Sequence, residues 1–192
     1  DLLRVNNQGQ IEVMALFPDE LVSTANIKGL FGCPAGPPDF CGLPDMIPAQ
    51  SVPTSIAVDE QGYIYVGELK GFPAPVGTSD IWRISPDASG ITCGSSNDCV
   101  KVFDGGFTSI IDLAYANGKL YVAELDESSW FALELGVVTG GTINECDLTS
   151  GSCSEIATDI PMLTAITTDK DGSLWAIKNA LAPAIAEIIN IQ

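Results

Sequence analysis

Ser55-Ile-Ala-Val-Asp-Glu-Gln-Gly62-Tyr-Ile-Tyr-Val-Gly-Glu-Leu69 reads as a strand, a turn and a second strand. Apolar residues alternate with small or polar ones on both sides of Asp-Glu-Gln-Gly, and glycine there tolerates positive φ. The pattern recurs twice, as Asp112-Leu-Ala-Tyr-Ala-Asn-Gly118-Lys-Leu-Tyr-Val-Ala-Glu-Leu125 and Ala165-Ile-Thr-Thr-Asp-Lys-Asp-Gly172-Ser-Leu-Trp-Ala-Ile-Lys178. The turn glycines lie 56 and 54 residues apart. A strand-turn-strand repeat at this interval predicts an all-β chain, a β-propeller with one four-stranded blade per repeat.

Working outward, each inner hairpin is followed by an outer one. Asp80-Ile-Trp-Arg-Ile84 leads to Cys99-Val-Lys-Val-Phe103, and Thr142-Ile-Asn-Glu-Cys146 leads to Cys153-Ser-Glu-Ile-Ala157. The opening Asp1-Leu-Leu-Arg-Val5 and Ile11–Phe17 match the outer strands, and Ala184-Ile-Ala-Glu-Ile-Ile189 matches the first of them. The chain therefore reads as about three and a half blades: an outer half-blade over 1–17, blades over 54–104 and 107–158, and an incomplete blade over 162–192. Residues 18–53 hold seven of the twelve prolines and read as an ordered loop. Two further insertions, Lys70–Ser79 and Asp126–Gly141, fall at equivalent points of successive blades and are expected to gather on one face. Phe72, Trp130 and Phe131 in those insertions are the candidate binding residues, since surface loops commonly carry binding.

Composition narrows the function classes. The 192 residues are 46% hydrophobic with a mean hydropathy of +0.25, as a folded core requires. No apolar run approaches the ~18 residues of a membrane-spanning helix. The net charge of −17, with only eight Lys and Arg, argues against nucleic acid as a partner. Residue 1 is Asp, which reads as a processed or cut terminus. Six cysteines admit 15 pairings. Sequence proximity favours Cys33/Cys41, Cys93/Cys99 and Cys146/Cys153, and such usage implies an oxidising compartment, secreted or periplasmic. Cys99 and Cys153 each open the last strand of a blade, so their two disulfides are expected at corresponding places.

The chain has no histidine, which removes His-based triads and His-ligated metals from this segment. A metal would be held by oxygens, favouring Ca²⁺ or Mg²⁺. Asp112 stands where the other copies have Ser55 and Ala165, on the strand expected to line the channel. Glu68 and Glu124 each lie six residues beyond the turn glycine, where the third copy has Lys178. These three acids are the metal or channel candidates, and backbone hydrogen bonding is the alternative role for each. Tyr65, Tyr121 and Trp175 share one register and are expected to pack between blades.

Ile47-Pro-Ala-Gln-Ser-Val-Pro-Thr-Ser-Ile-Ala-Val58, Tyr65-Val-Gly-Glu-Leu-Lys-Gly-Phe-Pro-Ala-Pro-Val-Gly77 and Phe107-Thr-Ser-Ile-Ile-Asp-Leu-Ala114 closely resemble the ScyD/ScyE family, named for cyanobacterial scytonemin biosynthesis. The resemblance is most specific over Tyr65–Gly77 and weaker after Leu125; the six cysteines and Asp126–Gly141 depart from the family pattern. It implies a secreted six-bladed propeller similar to NHL and gluconolactonase-like proteins. It also implies that about two and a half upstream blades are absent from this chain, to be supplied by an N-terminal fragment, a second chain or a symmetry mate. Two functions follow as expectations. One is a disulfide-stapled binding or scaffold module for a matrix, protein or small-molecule ligand. The other is a divalent-metal-assisted lactonase-like hydrolase using Asp112 with Glu68 or Glu124.

Overall fold

The structure is a computed structural model that describes the backbone of residues 1–191 and the side chains of residues 1–103 and 106–191. It is an all-β architecture of several sheets. Strands β1 (Leu2–Val5) and β2 (Ile11–Leu16) form an antiparallel pair. The segment that follows contains β3 (Glu20–Ser23), helix α1 (Ala25–Leu30), helix α2 (Pro38–Cys41) and β4 (Met46–Ala49). Next come β5 (Ser51–Val58), β6 (Ile64–Lys70), β7 (Ser79–Ile84), the two-residue β8 (Ile91–Thr92) and β9 (Cys99–Phe107). The chain continues through β10 (Ile110–Ala116), β11 (Lys119–Glu124), helix α3 (Trp130–Glu134), β12 (Gly141–Asp147) and β13 (Cys153–Ile160). It closes with β14 (Ala165–Thr168), β15 (Leu174–Lys178) and β16 (Glu187–Ile191).

Two sheets are four-stranded antiparallel meanders, β5-β6-β7-β9 and β10-β11-β12-β13, and β14-β15-β16 repeats their first three strands. The register agrees with the sequence repeat: Ser55 faces Gly67, Asp112 faces Ala123 and Ala165 faces Ile177. Gly62, Gly118 and Gly172 have φ of 85°, 76° and 84° at the hairpin turns. Asn117 also has positive φ, so Asn117-Gly118 forms the tight two-residue connection whose twist suits antiparallel strands. In the two longer turns Asp59 and Asp169 carry the geometry. Asp59 Oδ1 accepts from the backbone of Gln61 and Tyr63 at 3.0 and 2.9 Å, and Asp169 Oδ1 accepts from Asp171 and Ser173 at 2.9 Å each.

The apolar faces meet between successive sheets. Leu2, Met14 and Ala15 pack with Val66, Trp82 and Ile84. Ala57, Tyr65 and Ile81 pack with Leu113, Leu120 and Val122. Ala114, Ala123 and Ile143 pack with Ile166, Leu174 and Ala176. The innermost strands are neighbours, β10 touching both β5 and β14. The second strand also approaches β10 closely: a Cβ on Gly67 of β6 would lie 2.7 Å from Ile110 Cγ2, so the position admits only glycine without displacement. Of the aromatics in shared register, Tyr65 is 3% exposed against the following sheet and Tyr121 packs on the next core. Trp175, with no sheet beyond it among the described residues, is 36% exposed.

Three features differ from the sequence reading. Residues 18–53 are not loop throughout, since β3 and β4 pair over Glu20–Ser23 and Met46–Ala49, and two short helices lie between them. Pro48 is tolerated there because a two-stranded pair is all edge. The connection from β7 to β9 reaches back so that β8 runs parallel to β2, widening the first sheet to β1-β2-β8. All three local disulfides are formed, but they are not equivalent. Cys146–Cys153 joins directly opposed residues of β12 and β13, whereas Cys93 follows β8, so Cys93–Cys99 fastens β9 to the strand that extends the first sheet.

Candidate functional site

Glu68 and Lys70 lie two residues apart on β6, and a strand's period of two puts their side chains on one face. Lys70 Nζ donates to Glu68, to Asp80 at 2.9 Å and to Glu20 at 2.6 Å. Lys101 Nζ reaches Glu20 at 2.6 Å and Asp80 at 3.0 Å. Glu68 also accepts from Ser51 Oγ and, at 3.3 Å, from Trp82 Nε1. Burial works against charge at Glu68, Lys70, Asp80 and Lys101. For Asp80, burial is outweighed by hydrogen bonds and the Lys70 charge, which hold its carboxyl down to about 2. Burial raises Glu68, and a hydrogen bond that its protonated carboxyl donates to the Asp80 carboxylate adds to the rise. Burial would lower Lys70, but the Glu68 charge and three carboxylate hydrogen bonds raise it instead. Among the described residues this is the one trio of carboxylates close enough to share an ion. The Lys70 ammonium bonds to all three, so the positive charge they require is already supplied by the chain. A Ca²⁺ ion needs six to eight oxygens and no ammonium among them, and the residues present do not fit it.

The corresponding acid of the next sheet has different company. Glu124 accepts from the Thr108 backbone N–H and from Asn144 Nδ2 at 2.6 Å. Burial, with repulsion from Glu127 and Glu155, lifts its carboxyl from 4.5 to about 8 against those two hydrogen bonds. Asp112 Oδ2 accepts from the Ile166 N–H at 2.8 Å and Oδ1 from Leu113 N–H at 2.9 Å, joining β10 to β14. Burial raises Asp112 while those bonds oppose the rise. Neither Asp112 nor Glu124 belongs to the Glu68 trio. Lys178, at the same position of the third copy, pairs with Glu187 at 2.9 Å.

The three insertions converge on Phe131 of α3. Its ring centroid lies 5.6 Å from both Phe72 and Trp130, edge-on in each case, and 6.5 and 6.4 Å from Phe31 and Phe40. Phe31 and Phe40 stack at 3.9 Å beside the Cys33–Cys41 bridge that closes their turn. Trp130 is pinned by its Nε1, which donates to the Lys70 carbonyl at 2.8 Å, and by its backbone N–H on Ser109 Oγ at 2.9 Å. Asp126 shapes the loop that carries α3. It accepts from Ser128 N and Oγ, Thr139 N and Oγ1 and Gly140 N. Burial opposes its charge, but these bonds hold its carboxyl below the ordinary range. Beside Phe131, Ile27, Leu30, Val76, Ser129 and Val137 line a cavity of about 250 Å³. No charged side chain lines it, on a chain of net charge −17.

Phe72, Trp130 and Phe131 are thus brought together, while Glu68, Glu124 and Asp112 are separately engaged. Phe31, Phe40, Asp80, Glu20 and Lys70 escape a sequence reading. The available signals were modest: two phenylalanines bracketing a cysteine pair, and Glu-x-Lys on one face of a strand. No protein-family model matches the chain, and no curated protein matches it.

Proposed function

We propose that this chain is part of a secreted β-propeller of the ScyD/ScyE kind and acts as a binding module, its loop face holding a small, neutral, largely apolar ligand. The carrying observation is the Phe31, Phe40, Phe72, Trp130 and Phe131 cluster beside an uncharged cavity of about 250 Å³. Ligand sites are concave and mostly apolar, with a few polar groups for orientation; Ser128, Ser129 and Asn26 supply those here. Successive sheets with neighbouring inner strands support the ring reading. Three disulfides support export to an oxidising compartment. Among the described residues no helix is long and apolar enough to cross a membrane. Binding is better supported than hydrolysis, because Glu68, Glu124 and Asp112 are occupied by an ammonium or by backbone and amide donors.

Calorimetric titration with indole, a neutral apolar probe, tests this reading. Wild-type protein is expected to bind one equivalent with Kd on the order of 0.1–1 mM, and Phe131→Ala to lose the heat of binding. Equal heats from wild type and Phe131→Ala, or none from wild type, would overturn it.

A further inference from the structure

Nine of the described residues other than glycine hold positive φ. Eight lie between 49° and 64°, in the ordinary left-handed region. Ser129 stands apart at φ 86° and ψ 154°. Glycine is nearly the only residue found in that conformation, and other residues held in it cluster at functional sites and ligand clamps. Ser129 is 5% exposed and lines the cavity of about 250 Å³ beside Phe131. Its Oγ accepts a long hydrogen bond, 3.4 Å, from the Ala132 N–H. That bond uses a lone pair and leaves the hydroxyl hydrogen, for which the described residues supply no acceptor. A buried hydroxyl hydrogen without an acceptor is costly. The other two polar residues of the wall differ. Ser128 Oγ donates to Asp126 at 2.6 Å and to the Val137 carbonyl at 2.9 Å, so its hydrogen is committed. Asn26 is exposed, where water serves its amide.

We infer that the Ser129 hydroxyl donates its hydrogen to the bound ligand, and that the ligand's apolar body carries a neutral oxygen acceptor of the carbonyl kind. One buried donor in an otherwise apolar wall sets a ligand's orientation and selects for its acceptor. A carboxylate is a poor candidate for that acceptor, since no cation lines the cavity and the chain carries a net charge of −17. This rests on the binding reading above and names what a ligand of that site presents to Ser129.

Acetophenone and α-methylstyrene are the probes, because they share a shape and differ only in a carbonyl oxygen against a methylene carbon. Ligand-detected NMR titration of the 192-residue protein gives a Kd for each. Ser129→Ala removes the hydroxyl and keeps the Cβ, and Ser129→Gly removes the hydroxyl in a residue that suits the backbone. In both variants the affinity for the ketone relative to the alkene should fall about threefold to tenfold from wild type, with the alkene bound as before. Asn26→Ala should leave the ratio unchanged. A ratio unmoved in the Ser129 variants would overturn the assignment, as would one that falls only in Asn26→Ala. Loss of both probes in both Ser129 variants would make Ser129 a structural residue and overturn it as well. The two readings fail separately. Wild type that binds neither probe would remove the binding site itself, whereas binding of both with a ratio indifferent to Ser129 would keep the site and remove the donor.

Discussion

Glu68 in β6 and Glu124 in β11 lie six residues beyond their hairpin glycines and face Pro53 and Ile110 of their inner strands, but their carboxyl groups are kept in the core by different means. Glu68 shares a cluster with Lys70, Asp80, Glu20 and Lys101. Glu124 takes a backbone N–H and an amide in place of the ammonium, with its carboxyl raised to about 8. Two residues further along, Lys70 in one sheet is replaced by Asp126 in the other. The lysine joins its sheet to β3 through Glu20, and the aspartate folds its own loop and so presents Phe131. A single difference in the repeat thus separates a structural charge cluster from the loop that carries the Phe131 aromatic cluster.

Breaking the Lys70 side of this comparison has the largest expected effect. Lys70→Ala leaves Glu68 and Asp80 buried together without the ammonium between them, and chemical denaturation should show a loss of about 3–5 kcal/mol. On the other side, Phe131→Ala removes the hub of the aromatic cluster. A half-buried phenylalanine should cost about 2 kcal/mol in the same assay, below the full core value. Replacing Cys146 and Cys153 by serine opens a short loop at the outer edge and should cost about 2 kcal/mol, read as a lower melting temperature without altered indole binding.

The smallest change sharpens the comparison by pH. Glu124 has a folded value of about 8 against an ordinary 4.5, so between these limits the native state holds a proton that the unfolded chain has released. Its contribution is therefore neutral below 4.5, and stability falls as pH rises toward 8, with a slope of at most about 1.4 kcal/mol per pH unit. Glu124→Gln should flatten that slope, and its melting temperature should exceed the wild type's above pH 8. An unchanged slope would show that Glu124 is ionised in the core.

How much of this was legible depended on whether the cause was local. The hairpins were, because Gly62, Gly118 and Gly172 report positive φ and alternation reports the faces of the strands. The disulfide partners were favoured by proximity for the same reason. Residues 18–53 read as loop because seven prolines obscure a strand pair that needs only Glu20–Ser23 against Met46–Ala49. The two-residue β8 gave no signal, since its partner Ala15-Leu16 lies 76 residues away. At the candidate site Phe72, Trp130 and Phe131 were visible as aromatics in insertions at equivalent points. Phe31 and Phe40 were not, because their place depends on how Cys33–Cys41 folds its turn onto α3. The acids were visible as a repeated position, but Lys70's convergence with Glu20 and Asp80 depends on tertiary contacts.

The central claim is that the loop face around Phe131 is a binding site, and methyl-resolved NMR during an indole titration tests it most directly. Saturable shifts confined to Ile27, Leu30, Val76, Ala132 and Val137, with Ile56 and Ile188 unmoved, are the predicted result. Shifts spread over the exposed aliphatics of β1, β2, β5 and β16, with the cavity methyls no more affected than the rest, would contradict it.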